Sequence, residues 1–138
     1  AKDHRVDILM FPPKAVRLFD EAEAELASTA NAALEFSLAT LLGLPENLWP
    51  AYLNEANRAV RNAVNRSIPV VFSSGASDVY GLRAPRDLAA VAETLYGFPR
   101  GLTSVSFAPM RILERNREKL SSSFVEVGVR VVEGGGKS

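Results

Sequence analysis

Short apolar runs alternate along the chain with segments whose apolar positions recur every three or four residues, a pattern that predicts strands and helices in turn. Residues 6–11, VDILMF, are an apolar run ended by Pro12 and Pro13, which predicts a first strand stopped by prolines. Over residues 14–28, Val16, Phe19, Ala22 and Leu26 mark the buried stripe of a helix, and Asp20, Glu21, Glu23 and Glu25 mark its solvent face. Residues 33–38 alternate: Leu34, Phe36 and Leu38 should meet helices, while Glu35 and Ser37 point to the opposite face. Trp49, close to Pro45 and Pro50, reads as a packing plug. The helix expected over residues 51–66 buries Leu53, Ala56, Val60, Ala63 and Val64.

The stretch IPVVFSSGASDVYGLRAPRDL, residues 68–88, organises the remainder. Its first five residues suit a buried strand that tolerates a proline near its start. Ser73, Ser74 and Gly75 then turn the backbone outward into a polar loop, and Pro85 starts a helix ending near Gly97. Polar groups at the carboxyl end of a strand that feeds a helix mark the functional face of a β/α protein. Residues 102–107 read as a fourth strand with Val105 and Phe107 on one face and Ser104 and Ser106 on the other. Pro109 should open a last helix with Ile112, Leu113 and Leu120 toward the core and Arg111, Arg115, Arg117 and Lys119 outward. Residues 124–133 alternate like an added strand. Residues 1–133 are thus expected to form a single β/α domain, with 134–138 a flexible tail. The terminal GGGKS imitates the end of a phosphate-binding loop, but position 131 is Val where the pattern needs glycine.

Composition narrows the chemistry. The chain has 138 residues, 47% of them hydrophobic, with no cysteine and one histidine, His4. Thiolate nucleophiles, disulfides and Cys-based metal sites are therefore excluded, as is a histidine-rich metal centre within this chain. No apolar run nears the roughly 18 residues of a membrane span, and the opening residues are unlike a secretory signal, so a cytoplasmic protein with no membrane partner is expected. Net charge is zero yet uneven: residues 1–57 are acidic, and residues 58–119 carry ten bases against five acids. Most bases are arginine, whose planar fork matches phosphate; arginines on solvated helix faces paired with glutamate would give the same count. Glu35 on an inward face reads either as a satisfied hydrogen-bond partner or as a general base or metal ligand.

Three stretches together resemble the archaeal ribonuclease P protein component 3 family, whose eukaryotic relatives are the thirty-kilodalton subunits of the same ribonucleoprotein. They are SSGA followed by RAPRDL, NAALEFSLATLL over residues 31–42, and SVSFAPMRILERNREK over residues 104–119. The resemblance covers roughly residues 6–119. It implies an α/β fold, a TIM-like (β/α) barrel of which this chain resembles the C-terminal half, about four β/α units, with an extra C-terminal strand. A closed barrel typically takes about eight units and about 250 residues. A fragment, a short natural form and one half of a split barrel are all consistent with the length, and the edges at residues 6–11 and 102–107 should be covered.

The function the resemblance implies is that of a noncatalytic subunit of ribonuclease P, supporting RNA-catalysed removal of 5′ leaders from precursor tRNA. Its partners would be the RNase P RNA, the RRM-like component 2 protein and, through the holoenzyme, precursor tRNA. No cofactor is expected on this chain; Mg2+ would sit at the RNA subunit. Arg83, Arg86, Arg111, Arg115 and Arg117 are the expected RNA or partner contacts. Ser73, Ser74, Gly75 and Asp87 should shape the loop, and Glu35, Ser37, Ser104 and Ser106 should be polar groups of the barrel interior. The alternative is a metal-dependent phosphoesterase-like barrel hydrolase using Glu35, Asp78 and the strand-end serines; a third is a protein-interaction module whose basic half meets an acidic protein.

Overall fold

The structure, a computed structural model, describes residues 5–122, 124–126 and 129–130. His4, the GGGKS end and the expected tail at 134–138 lie outside the described residues. Three short strands, β1 (Ile8–Met10), β2 (Ala33–Ser37) and β3 (Val70–Ser73), form one parallel sheet in the order β1-β2-β3. Register places Leu9 beside Leu34, and Phe36 beside Phe72. Parallel neighbours require crossovers, which the intervening helices supply.

The first crossover departs from the predicted helix over 14–28. Pro13 starts a 3-10 turn, Pro13–Leu18, and the chain then extends at Asp20, whose Oδ1 accepts the Glu23 N–H at 2.9 Å and caps α1 (Glu21–Ala30). Restarting the helix resets its phase: Ala24, Ala27 and Ala30 are buried, Ala22 and Leu26 are exposed, and only Val16 and Phe19 hold their expected places. β2 passes directly into the short α2 (Leu38–Leu42), and a 3-10 turn, Glu46–Leu48, leads into α3 (Trp49–Asn65). Trp49 plugs this corner, packing on the core while its Nε1 donates to the Leu44 carbonyl at 3.1 Å.

One sheet face carries the main core. Leu34, Phe36, Val70 and Phe72 meet Val16 and Phe19, Ala24 and Ala27 of α1, and Ala56, Val60 and Ala63 of α3. Tyr96, just beyond α4 (Pro85–Thr94), stands edge-on to Phe72 at 4.8 Å and lies 5.1 Å from Phe36. Truncating an aromatic in such a cluster typically costs about 3–5 kcal/mol, so these rings fix how the sheet sits against the residues after α4. Burial raises the Tyr96 hydroxyl well above the usual tyrosine range.

The opposite face is only partly covered. Ala33 and Val71 pack on Ala108 and Ile112, whereas Met10 is 60% exposed and β1 has no strand on its outer edge among the described residues.

The predicted fourth strand is a helix. Residues 101–119 are helical throughout, with a π turn at Thr103–Phe107 leading into α5 (Ala108–Lys119). Pro109 lacks an N–H and crowds the turn before it, and widening that turn to π spacing relieves both. Ser104, fully buried, donates to the Gly101 carbonyl, and exposed Ser106 donates to Leu102, both at 2.6 Å. These are helical back-bonds, so the two serines belong to a helix and not to a strand face. Gly101 is required where this helix begins: a Cβ there would lie 2.3 Å from the Ala89 carbonyl oxygen of α4. Ile112 is buried as expected, but Leu113 and Leu120 are exposed. The expected added strand is two short antiparallel pieces, β4 (Phe124–Glu126) and β5 (Val129–Arg130), separate from the parallel sheet; the rest of residues 124–133 lies outside the described residues.

Candidate nucleic-acid interface

The carboxyl ends of β2 and β3 form the first part of the site. Ser73 Oγ donates to Glu35 Oε1 at 2.7 Å, so the half-buried carboxylate is held by the neighbouring strand. Ser37, buried, caps α2: its Oγ accepts the Thr40 N–H at 3.2 Å and lies 2.9 Å from Thr40 Oγ1. Gly75 follows with φ +62°, and a Cβ on it would fall 2.6 Å from Ser37 Oγ. Only glycine therefore lets the loop pass this close to β2. The Ser74 carbonyl accepts from Ala39 N at 3.0 Å and its Oγ from Ala76 N at 3.3 Å, tying the loop to the start of α2.

Beyond this anchor the loop folds on itself. Asp78 Oδ1 accepts the N–H groups of Tyr80 and Gly81, each at 2.9 Å, and Arg83 Nη1 donates to the carbonyls of Tyr80 and Leu82, each at 2.8 Å. Arg86 and Asp87 are exposed in the first turn of α4, where Asp87 also meets the positive end of the helix dipole. Ser73, Ser74 and Gly75 stand where β3 ends, and Asp87 lies in the first turn of α4.

The expected arginines divide between opposite ends of the sheet. Arg83 and Arg86 stand at the carboxyl end, whereas Arg111 and Arg115 line a cleft of about 740 Å³ beside the residues that lead into β2 and β3. Its walls include Ser67, Pro69, Arg100 and Phe107, with Glu114 and Glu118 among the other lining residues. Arg111 stacks its guanidinium 5.9 Å above the Phe107 ring, a cation–π contact on a half-exposed aromatic. Arg117 is exposed on another side of α5.

Arg115 is differently placed. It donates through Nη2 to Asp7 Oδ1 at 2.7 Å and through Nη1 to the Asn31 carbonyl at 2.8 Å. Asn116 Nδ2 completes the carboxylate at 2.7 Å, and Lys119 Nζ is 3.6 Å away. Burial pushes the Asp7 carboxyl up, but the two hydrogen bonds and the two cations outweigh it and hold the carboxyl below its ordinary range. Arg115 thus joins α5 to the entries of β1 and β2.

Tyr80, Arg100 and Phe107 are not among the contacts expected from the sequence. Arg100 sits between Pro99 and Gly101, a helix-entry pattern that could have drawn notice, while the alternation around Phe107 suggests a buried strand face. Among the described residues no three of His, Cys, Asp and Glu group closely enough to hold a metal ion, and no helix is long and apolar enough to cross a membrane.

The family model described as RNase P subunit p30 matches residues 1–121. The Ribonuclease P protein component 3 of Haloarcula marismortui is 31% identical over 131 residues, covering 91% of this chain and 54% of that protein. The protein of the same name from Methanococcus maripaludis strain C5 is 30% identical over 130 residues, covering 93% and 56%. A chain in the cryo-EM structure of archaeal Ribonuclease P with mature tRNA superposes with a TM-score of 0.79 at 25% identity, over 97% of this chain and 58% of that one. The chain spans about half the length of the curated relatives it matches.

Proposed function

The chain belongs to the RNase P subunit p30 family, and on that premise we propose that it acts as a noncatalytic protein subunit of ribonuclease P. It supports the RNA-catalysed removal of 5′ leaders from precursor tRNA by binding and stabilising the RNA subunit together with the RRM-like component 2 protein. The observation that carries this reading is the superposition of nearly the whole chain on a subunit of an archaeal Ribonuclease P bound to mature tRNA. The phosphoesterase-like hydrolase is not favoured by these matches.

In this reading the RNA holds the magnesium that serves phosphodiester hydrolysis, and this chain binds no cofactor of its own. The fold is the C-terminal half of a TIM-like barrel. The open edge of β1 and the bare face at Met10 are where the remaining strands belong, since an unpaired parallel edge is otherwise a template for misassembly. The assembly is cytoplasmic. Arg83, Arg86, Arg111 and Arg117 supply contacts to RNA or to the partner protein, while Arg115 positions α5. Contacts to phosphate fix the register of a protein on A-form RNA without reading bases, which suits a scaffold.

Binding of labelled RNase P RNA to the chain, alone and with component 2, tests the reading. Affinity that falls steeply as salt rises supports it. Absence of binding in both conditions overturns it.

A further inference from the structure

We infer that the cleft between α5 and the residues leading into β2 and β3 takes one unstacked nucleotide of single-stranded RNA, its base against the Phe107 and Arg111 pair and its phosphate at Arg100. The inference rests on the proposed function and names the part of the RNA that this site meets.

Phe107, Arg111 and Glu114 all line the cleft. They stand at i, i+4 and i+7 of one continuous helix, so they share a face and follow one another along about 10 Å of it. Phe107 is half-exposed, and the Arg111 guanidinium already lies 5.9 Å above its ring. The pair is therefore set before a ligand arrives. Aromatic rings and guanidinium planes are the surfaces on which proteins hold unpaired bases, whereas a base inside a duplex is covered on both faces by its neighbours. The wall across from them includes Val64, Ile68, Val70 and Phe98, an apolar lining that suits the flat face of a base. A volume of about 740 Å³ falls in the range of small-molecule sites.

Net charge does not select the ligand, but the mixture of charges does. The lining holds Arg100, Arg111 and Arg115 with Glu114 and Glu118, and Asp7, outside the lining, pairs with Arg115. Arg100 and Arg111 form no ion pair among the described residues, and the buried Nε of Arg115 has no hydrogen-bond partner among them. These donors are left for phosphate oxygens. Glu114 also forms no ion pair among the described residues. A bare phosphate would be repelled by that carboxylate, while a nucleotide brings it the exocyclic amine of adenine or cytosine. One ligand thus complements both signs.

The test uses the full chain and labelled RNA tetranucleotides: oligo-A, oligo-U and an abasic form with the same phosphates. The variants are Phe107→Leu, Phe107→Trp and Arg100→Ala, and thermal melts matching the wild type show that the fold is kept. Phe107→Leu should weaken oligo-A binding at least about fivefold and leave the abasic form unaffected, a split that loss of structure does not produce. Phe107→Trp should keep the wild-type affinity. Arg100→Ala should weaken both and lower the slope of log affinity against log salt by about 0.7. Oligo-A should bind more tightly than oligo-U, which has no amine for Glu114. Abasic RNA or oligo-U bound as tightly as oligo-A overturns the inference, as does oligo-A affinity unmoved by Phe107→Leu. Free AMP that binds as tightly as oligo-A also overturns it, since the cleft would then be a mononucleotide site. A Phe107→Leu loss confined to component 2 protein overturns it by making the cleft a protein contact. Wild-type chain that binds RNase P RNA but no tetranucleotide overturns this inference alone; chain that binds neither, with or without component 2, overturns the proposed function and the inference with it.

Discussion

Asp7 and Arg115, 108 residues apart in the chain, meet at 2.7 Å and join the entry of β1 to the middle of α5. Because the folded carboxyl ionises below its ordinary value near 3.8, its contribution to stability is complete above that value and is lost as pH falls through the lower, folded value. Asp7→Asn should therefore reduce stability at neutral pH and flatten the acid limb of the denaturation profile below about pH 4. Urea midpoints measured from pH 2.5 to 7 check this; parallel profiles for wild type and variant would remove the ion pair from the account.

The same ion pair separates Arg115 from its neighbours on α5. Arg115→Ala should lower stability by about 1.5–3 kcal/mol, since it strips a charged hydrogen bond from Asp7 and another from Asn31. Arg111→Ala with Arg117→Ala should leave the melting temperature nearly unchanged and reduce the slope of log affinity for RNase P RNA against log salt by about 0.7–0.9 for each phosphate that is no longer neutralised. Thermal melts and salt titrations on the same preparations decide the matter; an unchanged slope would take these two from the RNA interface.

Gly75 should resist substitution. Gly75→Ala places a methyl 2.6 Å from Ser37 Oγ and 2.8 Å from Ser37 Cβ at φ +62°, so it should destabilise the protein by more than about 1 kcal/mol. Ser37→Ala does not rescue it, because the Cβ remains. Chemical denaturation of the single and double variants measures this, and a Gly75→Ala protein as stable as wild type would contradict the close pass.

Much of the fold is readable from side-chain periodicity. β2 and β3 follow from the alternation at Leu34 and Phe36 and the β-branched run after Pro69, and the proline that starts α4 marks its place without ambiguity. The strand end at Ser73 to Gly75 is legible for the same reason, as small residues interrupting an apolar run. Glu35 facing away from Phe36 is legible too, but its partner Ser73 depends on strand register, which no local pattern encodes. The departure at residues 102–107 has a local cause: Ser104, Val105, Ser106 and Phe107 alternate over too few positions to separate a strand from a helix. The deciding constraints, Glu93 Oε1 accepting from Gly101 N at 2.9 Å and the π turn before Pro109, are a tertiary contact and a backbone adjustment. Asp20 similarly acts as a helix cap where its charge alone suggests a solvent face. The five arginines look like one basic surface because sequence proximity says nothing about which end of a sheet a residue occupies.

The most direct test of the central claim is precursor-tRNA cleavage by RNase P RNA and component 2 at limiting Mg2+, with and without this chain. No cleavage is expected from the chain alone, and 5′ processing should be faster when it joins the other two. Cleavage by the purified chain free of RNA, or a reaction indifferent to its presence, would contradict it.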